Sequence, residues 1–222
     1  MIISPGQHII NIADINAVKK PFGTIGGPVK NMEGETVLLT CYHCVFSPKL
    51  SWNDVIPAQA FSGLCVSDNG TAYSGKVATI EEVRRDDRID AALIKGTDTN
   101  TIHTEIPELG NTMGKCLLSQ ADKGKVFVRK YGAATQSTFG IFDGFIPSFG
   151  ALYFGENSFH FLGDLIKVRS SGDKPFATPG DSGSFVLNTN NQVAGIIVMT
   201  DGNTTYAIQS EIIESRLNIT FI

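Results

Sequence analysis

The chain has 222 residues, with 18 Lys and Arg against 22 Asp and Glu, a formal charge of −4. An acidic balance without a basic run is unsuited to tracking a phosphate backbone, which excludes nucleic acid as the default partner. Hydrophobic residues at 42%, including 14 Phe, supply enough apolar surface for a core, and no uninterrupted apolar run is long enough to span a membrane.

In chain order, Met1-Ile2-Ile3 runs straight into Ser4-Pro5-Gly6, too soon for the apolar region of a secretion signal. The expectation is a cytoplasmic chain with its four cysteines reduced. Residues 1–21 read as an N-terminal arm. Short β-rich or apolar runs bounded by Gly, Pro, Asn or Asp follow at 22–30, 36–40, 63–66, 75–80 and 91–94. The stretch 97–112 is polar and poor in pattern. A second set of runs lies at 125–130, 138–142, 151–154, 165–168, 184–187, 193–199 and 204–208. Asp68-Asn69-Gly70 and 188–191 carry turn chemistry. One helix is predicted at 211–218, with Ser210 as N-cap, Glu211 in the first turn, and Ile212, Ile213 and Leu217 on one face. Many short strands with frequent turns predict an all-β sandwich or barrel.

Three segments carry chemistry. Thr178-Pro179-Gly180-Asp181-Ser182-Gly183-Ser184 precedes the apolar run Phe185-Val186-Leu187. A serine between glycines ahead of a buried strand can expose its hydroxyl on a tight turn. There the amides of Gly180 and Ser182 can converge where an acyl-transfer oxyanion forms. A serine hydroxyl is a poor nucleophile and needs a base. Of His8, His43, His103 and His160, only His43 ends an apolar strand, in Leu38-Leu39-Thr40-Cys41-Tyr42-His43-Cys44. Such a base needs an acid to fix its tautomer. Asp90, in Ile89-Asp90-Ala91-Ala92-Leu93, stands directly ahead of a buried strand, whereas Asp86 and Asp87 read as solvated surface. Taken singly, each segment reads equally as a glycine-rich turn, a structural histidine or a capping aspartate.

Together, in the order His43, Asp90, Ser182, the segments resemble the chymotrypsin family of serine peptidases. Thr40 to Cys44 is similar to the family's Thr-Ala-Ala-His-Cys motif, and Ile89 to Leu93 to its Asp-Ile-Ala-Leu strand. Val193-Ala194-Gly195-Ile196-Ile197 resembles the strand behind its specificity pocket. The run Phe176 to Ser184, the opening Gly23 to Val29, and Val126 to Gly140 resemble the prokaryote-type trypsin-like branch, although Ala133 stands where that branch has arginine. The resemblance implies two six-stranded antiparallel β-barrels with a C-terminal helix. The first barrel would span 22–110 and carry His43 and Asp90. The second would span 111–209 and carry Ser182, with the helix and tail at 210–222.

The implied function is a serine endopeptidase acting through an acyl-enzyme, with restricted cleavage of a protein or peptide partner. Ser182 is the nucleophile, His43 the base, Asp90 its orienting acid, and the Gly180 and Ser182 amides the oxyanion hole. No cofactor, metal, nucleic acid or membrane enters this reading. A catalytically silent peptide-binding module on the same fold is the alternative.

Motif transfer puts Phe176 and Ala177 near the base of the substrate pocket and Val198, Met199 and Thr200 on one wall, with Thr178 also counted among the substrate-binding residues. This predicts an apolar pocket unless Asp173 or Asp201 enters. Cys41 and Cys44 flank the base. A zinc site there would consume His43, and no second Cys/His pair stands at zinc spacing, so both read as reduced, apolar-facing thiols. In the animal enzymes a freed Ile-Val-Gly-Gly amine pairs with the aspartate before the serine. Thr24-Ile25-Gly26-Gly27 resembles that signal but lies too close to His43 and is read as strand, leaving Asp181 to find another partner.

Overall fold

The computed structural model describes residues 2–11, 22–45, 63–74, 77–97, 101–152 and 159–222. Its strands run β1 (Ile2–Ile3), β2 (His8–Asn11), β3 (Gly23–Thr24), β4 (Gly27–Lys30), β5 (Thr36–Thr40), β6 (Leu64–Ser67), β7 (Ala78–Arg85), β8 (Asp90–Gly96) and β9 (Thr101–Ile102). They continue as β10 (Phe127–Gly132), β11 (Gln136–Leu152), β12 (Phe159–Ser170), β13 (Phe185–Asn188), β14 (Val193–Thr200), β15 (Thr204–Gln209) and β16 (Thr220–Phe221). The single turn α1 (Tyr42–Val45), a 3-10 turn at Gln120–Asp122 and the helix α2 (Ser210–Leu217) accompany them. Parts of the predicted runs 75–80 and 151–154 lie outside the described residues.

Strands β10-β11-β12-β15-β14-β13 form a closed antiparallel barrel. It closes where Val128 and Arg129 of β10 pair with Asn188 and Leu187 of β13. The first half is an eight-stranded sheet in the order β16-β4-β5-β8-β7-β6-β2-β3. Its six inner strands are antiparallel, flanked by the two-residue strands β16 and β3. The architecture is the chymotrypsin-like double barrel. Two segments read as peripheral belong to it: β2, from the predicted arm, pairs with β6 and β3, and β16, from the predicted tail, pairs with β4.

Packing explains which predicted runs became strands. The sequence Val37-Leu38-Leu39-Thr40 is buried throughout, because β5 has apolar neighbours on both faces. β10 alternates instead, with Val128, Lys130 and Gly132 turned inward and Phe127 exposed. One apolar cluster crosses the seam between the halves, joining Leu39, Val45 and Leu93 to Phe185, Ile196 and Ile208. A second fills the closed barrel with Val128, Phe142, Val168, Phe176 and Ile197. Phe221 meets Phe185 edge-on, 5.7 Å between ring centres, so the last strand is tied to both halves.

Ser210 is not the N-cap of α2. It is the first helical residue, Gln209 occupies the cap without a side-chain bond, and the Ser210 hydroxyl donates to the Cys116 carbonyl at 3.3 Å. Tertiary contact has claimed the hydroxyl that local capping would have used. Asn218 ends the helix in the left-handed conformation at φ 49°.

Candidate active site

His43 lies on α1, at the end of β5, and Asp90 is the first residue of β8, two strands that pair with each other. Adjacency in the sheet brings the two together at two points. The His43 amide donates to Asp90 Oδ1 at 3.0 Å, and Nδ1 lies 2.7 Å from Oδ2. An ionised carboxylate only accepts, so Nδ1 carries the proton and Nε2 is left as the basic nitrogen of the neutral ring. Asp90 is fully buried. Burial pushes its carboxyl up, but the His43 charge and hydrogen bonds more than offset this and hold it below its ordinary value. Burial likewise pulls the imidazole down, while Asp90 and Cys44 overcome it and raise His43 well above 6.5. Asp86 and Asp87 are exposed, as expected of surface groups. Asp86 pairs with Arg216 at 3.4 Å, and the Asp87 carbonyl accepts from Gly163.

The Ser182 segment leads into β13. Gly180 holds φ +104°, and a Cβ there would lie 2.4 Å from the Phe22 ring. Only glycine meets both conditions. The amides of Gly180 and Ser182 donate to no protein acceptor among the described residues, whereas the neighbouring amides of Thr178, Asp181, Gly183 and Ser184 are all engaged. The Ser182 hydroxyl donates to the Val198 carbonyl of β14 at 3.3 Å.

Thr24, which the motifs placed in an opening strand without a role at the site, joins the two halves at this point. Its amide donates to the Ser182 carbonyl at 2.8 Å. Its hydroxyl donates to the Gly180 carbonyl at 2.8 Å and accepts from the Ala133 amide at 2.9 Å, and its carbonyl accepts from Thr40 Oγ1 at 2.7 Å. The thiols also cross the seam. Cys41 Sγ donates to the Ile197 carbonyl at 3.1 Å and Cys44 Sγ to the Ser182 carbonyl at 3.4 Å. Both are buried as expected, but they are hydrogen-bonded and not purely apolar in contact.

Asp181 finds its partner in Lys130. Both side chains are fully buried, with Nζ 3.3 Å from Oδ2. The amides of Ala134 and Thr135 donate to Oδ1, and the Thr178 amide and Thr135 hydroxyl to Oδ2. Lys130 also reaches Thr135 Oγ1 and the Gln136 carbonyl. Burial lowers the lysine's pKa and Asp181 opposes that. A Cβ on Gly132 would lie 2.3 Å from Asp181 Oδ1, so glycine is what lets β10 pass this close. Ile25 is fully buried and its amide donates to the Gln7 carbonyl, in keeping with its reading as interior chain.

Of the other predicted site residues, Phe176, Ala177, Val198 and Met199 are buried, and the Phe176 ring packs in the barrel core. Thr178 and Thr200 are half-buried. Asp201 is occupied within its own turn, accepting from Asn203, Thr204 and the Tyr206 hydroxyl, and Asp173 lies in an exposed loop. His8 is buried in β2 against Phe22, 4.8 Å between rings, and His103 is exposed. The His160 side chain lies outside the described residues.

The fold is that of the chymotrypsin- and trypsin-like serine proteases. Among solved structures, the chain resembles Nocardiopsis protease at 18% identity and a TM-score of 0.64, covering 100% of this chain and 99% of that one. Thermobifida fusca protease A matches at 16% identity and 0.65, again over 100% and 99%. A glutamic acid specific serine protease that uses a histidine triad in substrate binding matches at 13% and 0.63, over 99% and 100%. No protein-family model matches the sequence, nor does any curated protein. No helix among the described residues is long and apolar enough to cross a membrane.

Proposed function

We propose that the protein is a serine endopeptidase that cleaves a protein or peptide partner at restricted sites. The observation that carries this reading is the two-point bond between His43 and buried Asp90, opposite a serine loop with two unengaged amides. Ser182 Oγ leaves its 3.3 Å bond to Val198 and attacks the scissile carbonyl as His43 Nε2 takes its proton. Hydrogen bonds of this kind are commonly long without substrate and tighten in the complex. Asp90 holds the imidazole by Nδ1 and stabilises the imidazolium. The Gly180 and Ser182 amides stabilise the oxyanion, and His43 returns the proton to the leaving amine. Water then releases the acyl group by the same steps.

A fluorophosphonate probe tests this directly. Labelling mapped to Ser182 by mass spectrometry is the expected result. Ser182→Ala should abolish labelling and turnover with melting temperature nearly unchanged, since among the described residues the half-buried hydroxyl makes one long bond. Retained peptidase activity in that variant would refute the assignment, and a folded chain that neither labels nor cleaves would favour a silent binding module.

A further inference from the structure

The two thiols beside His43 are neighbours of each other as well as anchors to the second barrel. Cys41 immediately precedes α1, and the Cys44 amide closes the turn back onto the Cys41 carbonyl at 3.2 Å. The ligand-type atoms of Cys41, His43 and Cys44 all lie within 4.8 Å of one another. Cys65 and Cys116 are outside this cluster. A disulfide needs its sulfurs about 2.05 Å apart. A bridge between them would require side-chain rotation at the two residues and would give up both S–H donors. The His43 turn would then lose one bond to β14, at the Ile197 carbonyl, and one to the serine loop, at the Ser182 carbonyl.

We propose that Cys41 and Cys44 form a redox modification site, at which a hydroperoxide joins them in a reversible disulfide that uncouples the His43 turn from the Ser182 loop. Cys44 gives up its S–H proton and attacks the peroxide oxygen, the O–O bond breaks, and the hydroxide or alkoxide that leaves takes that proton, so the products are a sulfenic acid and one water or alcohol. The Cys41 sulfur attacks the Cys44 sulfur, the S–O bond breaks, and hydroxide leaves as water with the Cys41 proton. Two thiols are oxidised and one peroxide is reduced. The roles follow from the site. Burial pushes both thiols up, but Cys41 and the His43 charge bring Cys44 down to about 6, while Cys41 stays well above the usual thiol range. A ring this small is strained, and strained bridges are the readily reduced ones.

The loss of function rests on the peptidase reading, whereas formation of the bridge does not. The test treats the purified full chain with hydrogen peroxide, blocks free thiols and maps peptides by mass spectrometry. A Cys41–Cys44 peptide lighter by two hydrogens is expected. Fluorophosphonate labelling of Ser182 should fall about 100-fold, the scale of a small misplacement in an active site, and return with dithiothreitol. Cys44→Ser removes the sulfur that attacks peroxide, keeps a donor for the Ser182 carbonyl and should keep its labelling in peroxide. Cys65→Ser and Cys116→Ser should lose it as the parent does. The His43 ring resonances give a readout free of activity and should move on oxidation. Absence of the bridge, a bridge that leaves labelling and the His43 signals unchanged, or bound zinc shielding the thiols would overturn the proposal. If neither redox form labels, the peptidase reading fails, and the His43 signals alone decide whether the bridge acts on this site.

Discussion

A base must be neutral to accept the Ser182 proton, and Asp90 biases His43 against neutrality. Activity is therefore expected to rise with pH through an apparent pKa above the ordinary 6.5. The raised value has the opposite effect on stability. The charged His43–Asp90 pair contributes fully below the unfolded imidazole pKa, and the contribution is lost as pH rises through the folded one. Asp90 adds stability above the unfolded carboxyl pKa and loses it as pH falls through its lowered folded pKa. Activity and melting temperature measured across pH 5 to 9 should thus move in opposite directions on the alkaline side. Asp90→Asn should cut kcat by about 10⁴-fold through the wrong tautomer. A flat rate profile, or a normal rate after the Asp90→Asn change, would remove His43 from this role. Ser182, His43 and Asp90 were legible in the sequence because each sits in a short local pattern at a strand end. Thr24 and Lys130 were not: Thr24 meets Gly180 across 156 positions, and no local pattern reports that.

At the scale of the element, β3 is a two-residue strand that joins the two halves at the serine loop. Thr24→Val keeps its size but leaves the Gly180 carbonyl and the Ala133 amide without their buried partner. Each such group costs about 1–3 kcal/mol. The variant should unfold at lower denaturant and also lose turnover, because Gly180 carries one of the two proposed oxyanion amides. A loss of stability with normal kcat would separate the hub from the loop. On β10, Lys130→Met strands the Asp181 carboxylate in a dry site, at a cost of about 3–5 kcal/mol. Adding Asp181→Asn should restore part of that stability, and added salt should mimic neither variant, since a buried pair is screened little. Additive losses in the double variant would contradict the pairing. Strand lengths were the least legible feature. β11 runs from Gln136 to Leu152, yet its buried alternation stops near Gly144, where φ is +91° and the register shifts. Beyond it Pro147 and Ser148 are exposed, so no two-residue period remains to be read.

At the scale of the whole molecule, the halves share a core and exchange chain. Ile219 and Phe221, from the end of the chain, are buried with residues of the first sheet, while Phe185, from the second barrel, packs against Phe221. Removing residues 219–222 should therefore lower the stability of both halves together. Differential scanning calorimetry should show one transition displaced downward, and two separated transitions would show that the halves fold independently. The all-β class was legible because turn-bounded strands are a local pattern, whereas the double barrel was implied only by the resemblance of the motifs. The return of the tail to β4 was not, because Thr220 and Phe221 alone carry no sign of which edge they join.

That return also orders events in time. Domains generally form from the amino end as a chain is made. Here β4 waits for β16, so His43 and Asp90 sit in a sheet that lacks one flanking strand until Thr220 and Phe221 have paired with Lys30 and Val29. The sheet that carries His43 and Asp90 is thus completed only after all three residues of the proposed triad have been made, so its closure is a late step of folding.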